Sequence, residues 1–314
     1  MAKKSLTILY NDELNGVTTF NHTLAKAFKD IEGNTSEIEI QQTMENGFVS
    51  EFLDVGITKR IAEQSYDFVF VNNRSGLKWC IENGITATKF FYFVHSIPTE
   101  KELQKEVFPP ISSALPNMLG GNIGIVVFSQ KAKDFFDTQG HDCTLINNAI
   151  DLSRFTASEN IPPTEIKKIL LFDLRTNLLY KSKIQNIADI LPNTYLRSIS
   201  VPVWNVENEI KEADLVIAYG RSAIEALAMG KPVIIYGVNG GDGLVLDANK
   251  DILATTNFSG WSVRSLPIPE YLFEGSILQE IQRYNKADMT LVKDWIRANY
   301  SIDTVITTLN LNPA

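Results

Sequence analysis

The 314-residue sequence is poor in the residues that build metal sites and disulfide frameworks. It holds two cysteines, Cys80 and Cys143, and three histidines. The cysteine spacing is typical of neither a zinc site nor a disulfide framework, so we expect each cysteine to be a small buried apolar residue. The sequence therefore predicts no metal centre and no redox role for the thiols.

Long apolar runs and an excess of positive charge are also missing. The longest apolar stretches, such as IGIVVF at 123–128, are much shorter than the roughly 18 residues of a membrane-spanning helix. The start of the chain shows no apolar segment with a cleavage site. The formal net charge of −8 disfavours nucleic acid, although a local basic cleft would still allow it, and a small molecule or carbohydrate fits better. We expect a cytoplasmic protein without a transmembrane segment, and leave peripheral membrane contact and the oligomeric state open.

Short apolar runs alternate with helical patterns along most of the chain. SLTILY at 5–10 predicts a first strand, and the helical spacing of the apolar residues behind Thr18 and Thr19 predicts a helix that one of these threonines caps. Continuous apolar runs at 67–72, 89–95 and 123–129 predict further parallel strands that are covered on both faces. The alternation restarts in the second half, with strands predicted at 168–173, 195–201, 213–220 and 232–237. The alternation predicts an α/β protein with doubly wound sheets.

A polar stretch with two prolines, RFTASENIPPTEIKK at 154–168, is the best candidate for a linker. We place the boundary there, between Rossmann-like domains at 1–158 and 159–314. Beyond Tyr271 the pattern predicts a helical C-terminal tail, and it leaves open whether the last helices pack back on the N-terminal domain. Since doubly wound sheets bind ligands outside the carboxyl ends of their strands, we expect the site in a cleft that the two domains face.

Polar residues follow the predicted strands of the N-terminal half. Asn15 and Gly16 precede a predicted helix, whose free amide groups and dipole would favour a phosphate, while a plain turn with a positive φ at Gly16 is the alternative. His95 ends a predicted strand, either as a group that exchanges protons near neutral pH or as a structural hydrogen-bonding residue. For His22 and His141 we expect structural roles.

The C-terminal half offers cations and a glycine-rich segment. Arg175 and Lys181 follow the strand predicted at 168–173, where they would hold a diphosphate or lie solvated at the surface. A segment just past the last predicted strand would let a ligand approach the backbone closely, or would form an ordinary loop with a turn. It consists of Gly240, Gly241, Asp242 and Gly243.

A helix of small residues follows Gly220 and Arg221. Ser222 and Glu225 have the spacing of a capping box, in which Ser222 accepts a first-turn amide and Glu225 reaches back to the cap. The alternative is that the helix presents its N-terminus, with Gly220 and Arg221 beside it, to an anionic ligand.

Four stretches resemble, in order, the GT-B glycosyltransferases, and within them the retaining, family-four-like group. They are LNGVTTFNHTLAKAF, VHS, VFSQKAKDFF with INNAIDLSRF, and ADLVIAYGRSAIEALAMGKPVIIYG. The resemblance implies sugar transfer from a nucleotide-sugar donor, held mainly by the C-terminal domain, to an acceptor held mainly by the N-terminal domain. It implies no metal and no cofactor, because protein cations and helix termini take the place of a divalent ion.

The resemblance also implies roles for single residues. Glu225 matches the glutamate that binds the donor ribose, and His95 matches the histidine beside the donor sugar. Arg175 and Lys181 match the pair that neutralises the leaving diphosphate. Ile217 stands where the family commonly has a first glutamate, so this position supplies no carboxylate to the donor sugar.

Three functions remain open at this stage. The leading one is a retaining, metal-independent glycosyltransferase that acts on a glycan, a lipid-linked glycan or another hydroxyl acceptor. The second is a nucleotide-sugar epimerase or hydrolase of similar fold, and the third is a catalytically inactive nucleotide-sugar-binding partner protein. The sequence names neither the donor sugar and base nor the acceptor.

Overall fold

The computed structural model describes residues 2–11, 13–42, 47, 49–60, 63–95, 122–156, 165–172, 185–186, 188–189, 191, 193–237, 240–260, 274–284 and 289–312. The chain forms two compact units, one of Met1–Ala149 with Ile302–Ala314 and one of Ile150–Ser301. The predicted diphosphate-binding residues Arg175 and Lys181 lie outside the described residues.

The first unit is built on parallel strands with helices between them. The strands are β1 (Lys4–Asn11), β2 (Thr35–Gln42), β3 (Thr58–Lys59), β4 (Ser65–Val71), β5 (Thr86–Val94), β6 (Ile123–Val127) and β7 (Cys143–Leu145). The helices are α1 (Gly16–Asp30), α2 (Val49–Asp54), α3 (Arg74–Glu82) and α4 (Gln130–Thr138). The seven-stranded sheet has the order β3-β2-β1-β4-β5-β6-β7. The order reverses between β1 and β4, which makes the carboxyl ends of these two strands the switch point where such sheets bind ligands.

The central strands of this sheet are covered on both faces. Phe70 packs in a cluster with Phe20 and Phe28 of α1, whereas its neighbours Val69 and Val71 belong to the cluster on the opposite face. This alternation explains why the strands are continuously apolar in the sequence. The last helix of the described chain, α10 (Ile302–Thr308), adds apolar side chains to the Phe20 cluster and so completes the first unit.

The second unit has its own sheet. Its strands are β8 (Lys168–Phe172), β9 (Tyr195–Ile199), β10 (Leu215–Ala218), β11 (Val233–Gly237) and β12 (Gly240–Leu244). Its helices are α5 (Val206–Glu212), α6 (Arg221–Ala228), α7 (Lys250–Ala254), α8 (Glu274–Tyr284) and α9 (Met289–Asn299). The strand order is β12-β11-β10-β8-β9, with β12 antiparallel to β11 and the other pairs parallel. This order reverses between β8 and β10, so the start of α6 lies at a switch point.

The glycine-rich segment is a strand and not the loop that the sequence predicts. Gly240 pairs with Gly237 and Gly241 with Tyr236, and a bulge between Ile235 and Tyr236 adjusts the register. Backbone hydrogen bonds hold this edge strand, and they need no side chains. A run of glycines therefore carries no periodic signal from which the strand could be predicted.

The compact units divide between Ala149 and Ile150, ahead of the linker in which we placed the boundary. Ile150 and Phe155 are buried in the core of the second unit, and the Ile150 N–H donates to the carbonyl of Tyr300 at 2.9 Å. The segment after Ala149 is thus anchored to the second unit. No helix in the described part of the chain is both long and apolar enough to cross a membrane.

Candidate functional site

In the first unit, Asn15 caps α1. Its Oδ1 accepts the N–H groups of Val17 at 2.9 Å and Thr18 at 3.1 Å, so the prediction of a threonine cap is wrong. The Thr19 hydroxyl instead donates to the Asn15 carbonyl one turn back. Gly16 is the first helical residue and does not have a positive φ, so the turn interpretation of Gly16 is also wrong.

His95 lies directly after β5 in a network of amide side chains. Its Nε2 is 2.7 Å from Oδ1 of Asn72, the residue that follows β4. Asn72 and the buried Asn21 of α1 exchange two amide hydrogen bonds of 2.9 and 3.0 Å. The imidazole stacks on Phe128, with ring centroids 4.5 Å apart. These contacts fix the half-buried ring at the carboxyl edge of the first sheet, close to its switch point.

Of the other residues predicted to be structural in this unit, His22, Cys80 and Cys143 lie in the core, whereas His141 is half-buried and meets the Phe136 ring edge-on. His22 is buried, and its Nε2 is 3.0 Å from the carbonyl of Glu51. Both Cys80 and Cys143 are buried free thiols, which confirms the sequence prediction. Burial raises the pKa of Cys80 to about 12, so its thiol is unreactive at neutral pH.

In the second unit, Gly220 makes the turn from β10 into α6. Its φ of 58° and ψ of −132° form a conformation that residues with a side chain rarely adopt. The Gly220 N–H donates at 2.8 Å to the carbonyl of Phe258, which itself has a φ of 54°. No N-cap side chain bonds to the first turn of α6, so the predicted capping box of Ser222 and Glu225 is wrong.

Glu225 pairs with Arg221 one turn earlier instead of reaching back to the cap. The Arg221 Nε donates to Glu225 Oε1 at 2.9 Å, and each side chain is 9% exposed. Burial raises the pKa of Glu225 and lowers that of Arg221, while their mutual attraction opposes both shifts. Within the described residues, this is the one hydrogen bond that the Glu225 carboxylate makes. Its Oε2 therefore has capacity for a further donor, such as a hydroxyl group.

A second charged cluster lies beside this ion pair, and the sequence analysis did not assign it a role. Arg154 Nη2 donates to the Trp204 carbonyl at 2.7 Å and to Glu207 Oε2 at 2.8 Å. The guanidinium lies 3.7 Å from the centroid of the Trp204 ring, close enough for a cation–π interaction. The Arg154 charge also favours the ionised form of Glu225. Arg154 stands in the INNAIDLSRF stretch, so that motif was the available signal.

The predicted donor-binding residues of β12 have contacts within the second unit. Asp242 is buried, and Gly243 has a φ of 79°. A Cβ at Gly243 would lie 3.0 Å from the Glu280 carboxylate, which accepts the Leu244 N–H at 2.8 Å. Gly241 lies nearer the carboxyl end of β11, opposite Tyr236. Gly243 thus adjoins α8, whereas Gly241 is closer to the ligand-binding edge of the sheet.

Ile217 occupies the core of β10. It pairs with Leu171 on one side and Ile234 on the other, and it is fully buried. A carboxylate would be desolvated at this position, because the surrounding cluster is apolar. The absence of the first family glutamate therefore agrees with the packing of this sheet.

Comparison with known proteins shows the fold. No protein-family model matches the chain, and no curated protein matches it. The Anabaena protein Alr3699/HepE, solved in complex with UDP and glucose, superposes with a TM-score of 0.66 at 11% identity, covering 98% of both chains. A glycosyltransferase from Rickettsia africae superposes with a TM-score of 0.58 at 15% identity, covering 99% of this chain and 98% of that one.

An epimerase has the same architecture. UDP-GlcNAc 2-epimerase from Neisseria meningitidis, bound to UDP-GlcNAc, superposes with a TM-score of 0.58 at 12% identity, covering 98% of this chain and all (100%) of that chain. Glycosyltransferases and UDP-GlcNAc 2-epimerases thus both resemble the chain in structure, and the retaining, family-four-like subgroup stays a prediction. The predicted fold class is confirmed: this chain has a two-domain Rossmann-like α/β fold.

Proposed function

We propose that this chain is a glycosyltransferase that takes a sugar from a nucleotide-sugar donor and transfers it to a hydroxyl group. The observation that carries the proposal is the buried Arg221–Glu225 pair behind the N-terminus of α6, at the switch point of the second sheet. A buried carboxylate with an unused oxygen is costly unless a donor satisfies it, and ribose hydroxyls are suitable donors.

The start of α6 supports binding of the diphosphate. Gly220 has no side chain to occupy the helix end, and an added Cβ there would meet no atom within 4 Å. Helix N-terminal amides and the helix dipole favour an anion at such a position. Arg154 adds positive charge next to Arg221. The fold neighbours that carry UDP or a UDP-sugar support a uridine nucleotide as the donor.

The proposed reaction follows from these roles. The bond between the sugar C1 and the diphosphate oxygen breaks, while the acceptor oxygen forms a bond to C1 and its proton passes to the leaving phosphate. Helix-end amides, together with Arg175 and Lys181, stabilise the charge that develops on the leaving group. We expect retention of configuration at C1 and no requirement for a metal.

The side chains at the carboxyl edge of the first sheet support the proposal that the acceptor carries hydroxyl groups. Amide side chains at or near the ends of β1, β2, β4 and β7 are Asn11, Asn15, Gln41, Gln42, Asn72, Asn73, Asn147 and Asn148. Amides both donate and accept hydrogen bonds, as hydroxyl groups do. This chemistry suits a saccharide better than a polyanion.

The test is release of UDP from a panel of UDP-sugars, measured with and without saccharide acceptors. Glu225→Gln is expected to weaken UDP binding at least tenfold, equivalent to about 1.4 kcal/mol. Glu212→Gln is the matched control, because Glu212 is an exposed glutamate of α5 whose partner is Lys168. Turnover that survives combined replacement of Arg175, Lys181 and Glu225 by alanine would refute the assignment.

A UDP-sugar epimerase is the second candidate, and the fold shared with the Neisseria epimerase and the apolar Ile217 favour it. An epimerase would convert UDP-GlcNAc into a second UDP-sugar without any acceptor, which proton NMR of the reaction mixture detects. Calorimetric binding of UDP-sugars with neither conversion nor UDP release would instead identify an inactive binding protein.

A further inference from the structure

We propose that Asn72 is a positioning residue that holds His95 in one tautomer, protonated at Nε2, and that Asn21 holds Asn72 in place. The tautomer follows from counting hydrogens. An Asn side chain carries two N–H hydrogens on Nδ2 and accepts only at Oδ1.

The orientation of both amides is set by backbone carbonyls, which can only accept. Asn72 Nδ2 lies 3.3 Å from the carbonyl of Ile8, and Asn21 Nδ2 lies 2.8 Å from the carbonyl of Val17. Turning either amide by 180° would place two acceptor oxygens against each other. The nitrogen and oxygen positions of the pair are therefore determined by the structure around them.

Asn72 has no hydrogen left for His95. One Nδ2 hydrogen goes to Ile8 and the other to Asn21 Oδ1, at 3.0 Å. The atom that faces His95 Nε2 at 2.7 Å is Oδ1, which also accepts from Asn21 at 2.9 Å. The hydrogen in the His95 contact must come from the ring. His95 is thus protonated at Nε2, and in the neutral ring Nδ1 carries the lone pair.

Packing fixes the plane of the ring as well as its tautomer. Phe128 stacks on the imidazole with an interplanar angle of 18°, and Phe20 meets it edge-on at 6.0 Å. The hydrogen bond and the two aromatic contacts together leave one orientation. Four parts of the chain contribute to this arrangement, namely α1 and the ends of β4, β5 and β6.

The catalytic consequence rests on the proposed function. A neutral histidine with a lone pair on Nδ1 accepts a hydrogen bond from a sugar hydroxyl, whereas the opposite tautomer would donate at that atom. Loss of Asn72 would remove the acceptor that faces Nε2, so this contact would no longer favour protonation at that atom. Productive orientation of the sugar would then be populated for only part of the time.

The experiment is long-range proton–nitrogen NMR of the full chain with labelled histidine, at a pH where the rings are neutral. The ring nitrogen shifts distinguish the two tautomers directly. We expect protonation at Nε2 in the unmodified protein. In Asn72→Ala we expect a larger share of the tautomer protonated at Nδ1. Protonation at Nδ1 in the unmodified protein would overturn the proposal, even if every variant failed to fold.

Asn34→Ala is the matched control. Asn34 is also a buried amide of the first unit, and it accepts the Lys3 N–H at 2.9 Å and donates to the Phe28 carbonyl at 3.2 Å. Its loss should leave the His95 signals unchanged. With a working donor and acceptor, Asn72→Ala is expected to lower kcat by about tenfold or more, because the ring is less often correctly oriented.

The two proposals fail in different ways. If no transfer is found with any UDP-sugar, the proposed function fails while the NMR still decides the tautomer. If transfer occurs and Asn72→Ala keeps full kcat although both tautomers are present, the positioning role is refuted and the proposed function stands.

Discussion

Gly220 and Gly16 offer a paired test of how the backbone shapes the two helix ends. Each precedes or begins a helix that follows a central strand, and at neither would an added Cβ meet a heavy atom within 4 Å. They differ in backbone conformation, because Gly220 has a φ of 58° and Gly16 does not have a positive φ. Replacing each with alanine therefore separates backbone strain from steric clash.

The expected changes in the free energy of unfolding differ in sign between the two variants. Alanine at position 220 must adopt a conformation that costs about 1–3 kcal/mol, or else give up the 2.8 Å hydrogen bond to Phe258. Losing that bond would itself cost about 0.5–1.5 kcal/mol. Gly16→Ala restricts the unfolded chain at a compatible position and should leave stability unchanged or raise it by up to about 1 kcal/mol. A change of 1 kcal/mol moves Tm by about 2–4 °C in domains of this size.

Thermal unfolding followed by tryptophan fluorescence measures both variants. Trp204 and Trp295 lie in the second unit and Trp79 lies in the first, so loss of stability in either unit is visible. We also expect Gly220→Ala to weaken UDP binding about tenfold or more, equivalent to 1.4 kcal/mol, because relaxation of the turn moves the amides of α6. Equal stability of Gly220→Ala and the unmodified protein, or equal damage from Gly16→Ala, would refute this account of the turn.

Further predictions concern buried charges, the first helix cap and the thiols. Arg221→Met should cost about 3–5 kcal/mol in urea unfolding at neutral pH, because it leaves the Glu225 carboxylate buried and unpaired. Since burial raises the pKa of Glu225, this carboxylate becomes protonated as the pH falls toward 4, and the penalty should shrink. Adding Glu225→Leu to Arg221→Met should restore stability. A loss of stability that does not change with pH would show that an unpaired Glu225 carboxylate is not its cause. Asn15→Ala should lower stability by about 0.5–2 kcal/mol and Asn15→Asp should not, as measured by thermal unfolding, whereas equal losses would show that the cap does not act as described. Cys80 and Cys143 should resist a thiol reagent at pH 8 in the native protein and react fully in urea; fast native labelling of Cys80 would show that it is accessible.

Most strands of both sheets could be predicted from the sequence because apolar runs in covered parallel sheets are a local signal, whereas the short strands β3 and β7 were not predicted. DFVFVN at 67–72 and KFFYFVH at 89–95 correspond to β4 and β5 within a few residues. The short strand β12 escaped prediction because glycine has no side chain to form a pattern. The start of α1 was missed by a few residues, since Asn15 and Thr18 are both good caps and only geometry distinguishes them.

The α/β class and the polar side chains at strand ends can be read from the amino-acid sequence, because strand periodicity and strand-end position are properties of neighbouring residues. The roles of those side chains depend on contacts between distant parts of the chain. Glu225 had a local partner in the predicted capping box, yet burial and the positive φ at Gly220 favour an ion pair with Arg221. The hydrogen bonds of Asn72 reach His95, 23 residues away, and Asn21, 51 residues away, and no spacing rule covers such distances. Partners that distant are brought together by the parallel sheet, whose strand ends meet at one edge regardless of their separation along the chain.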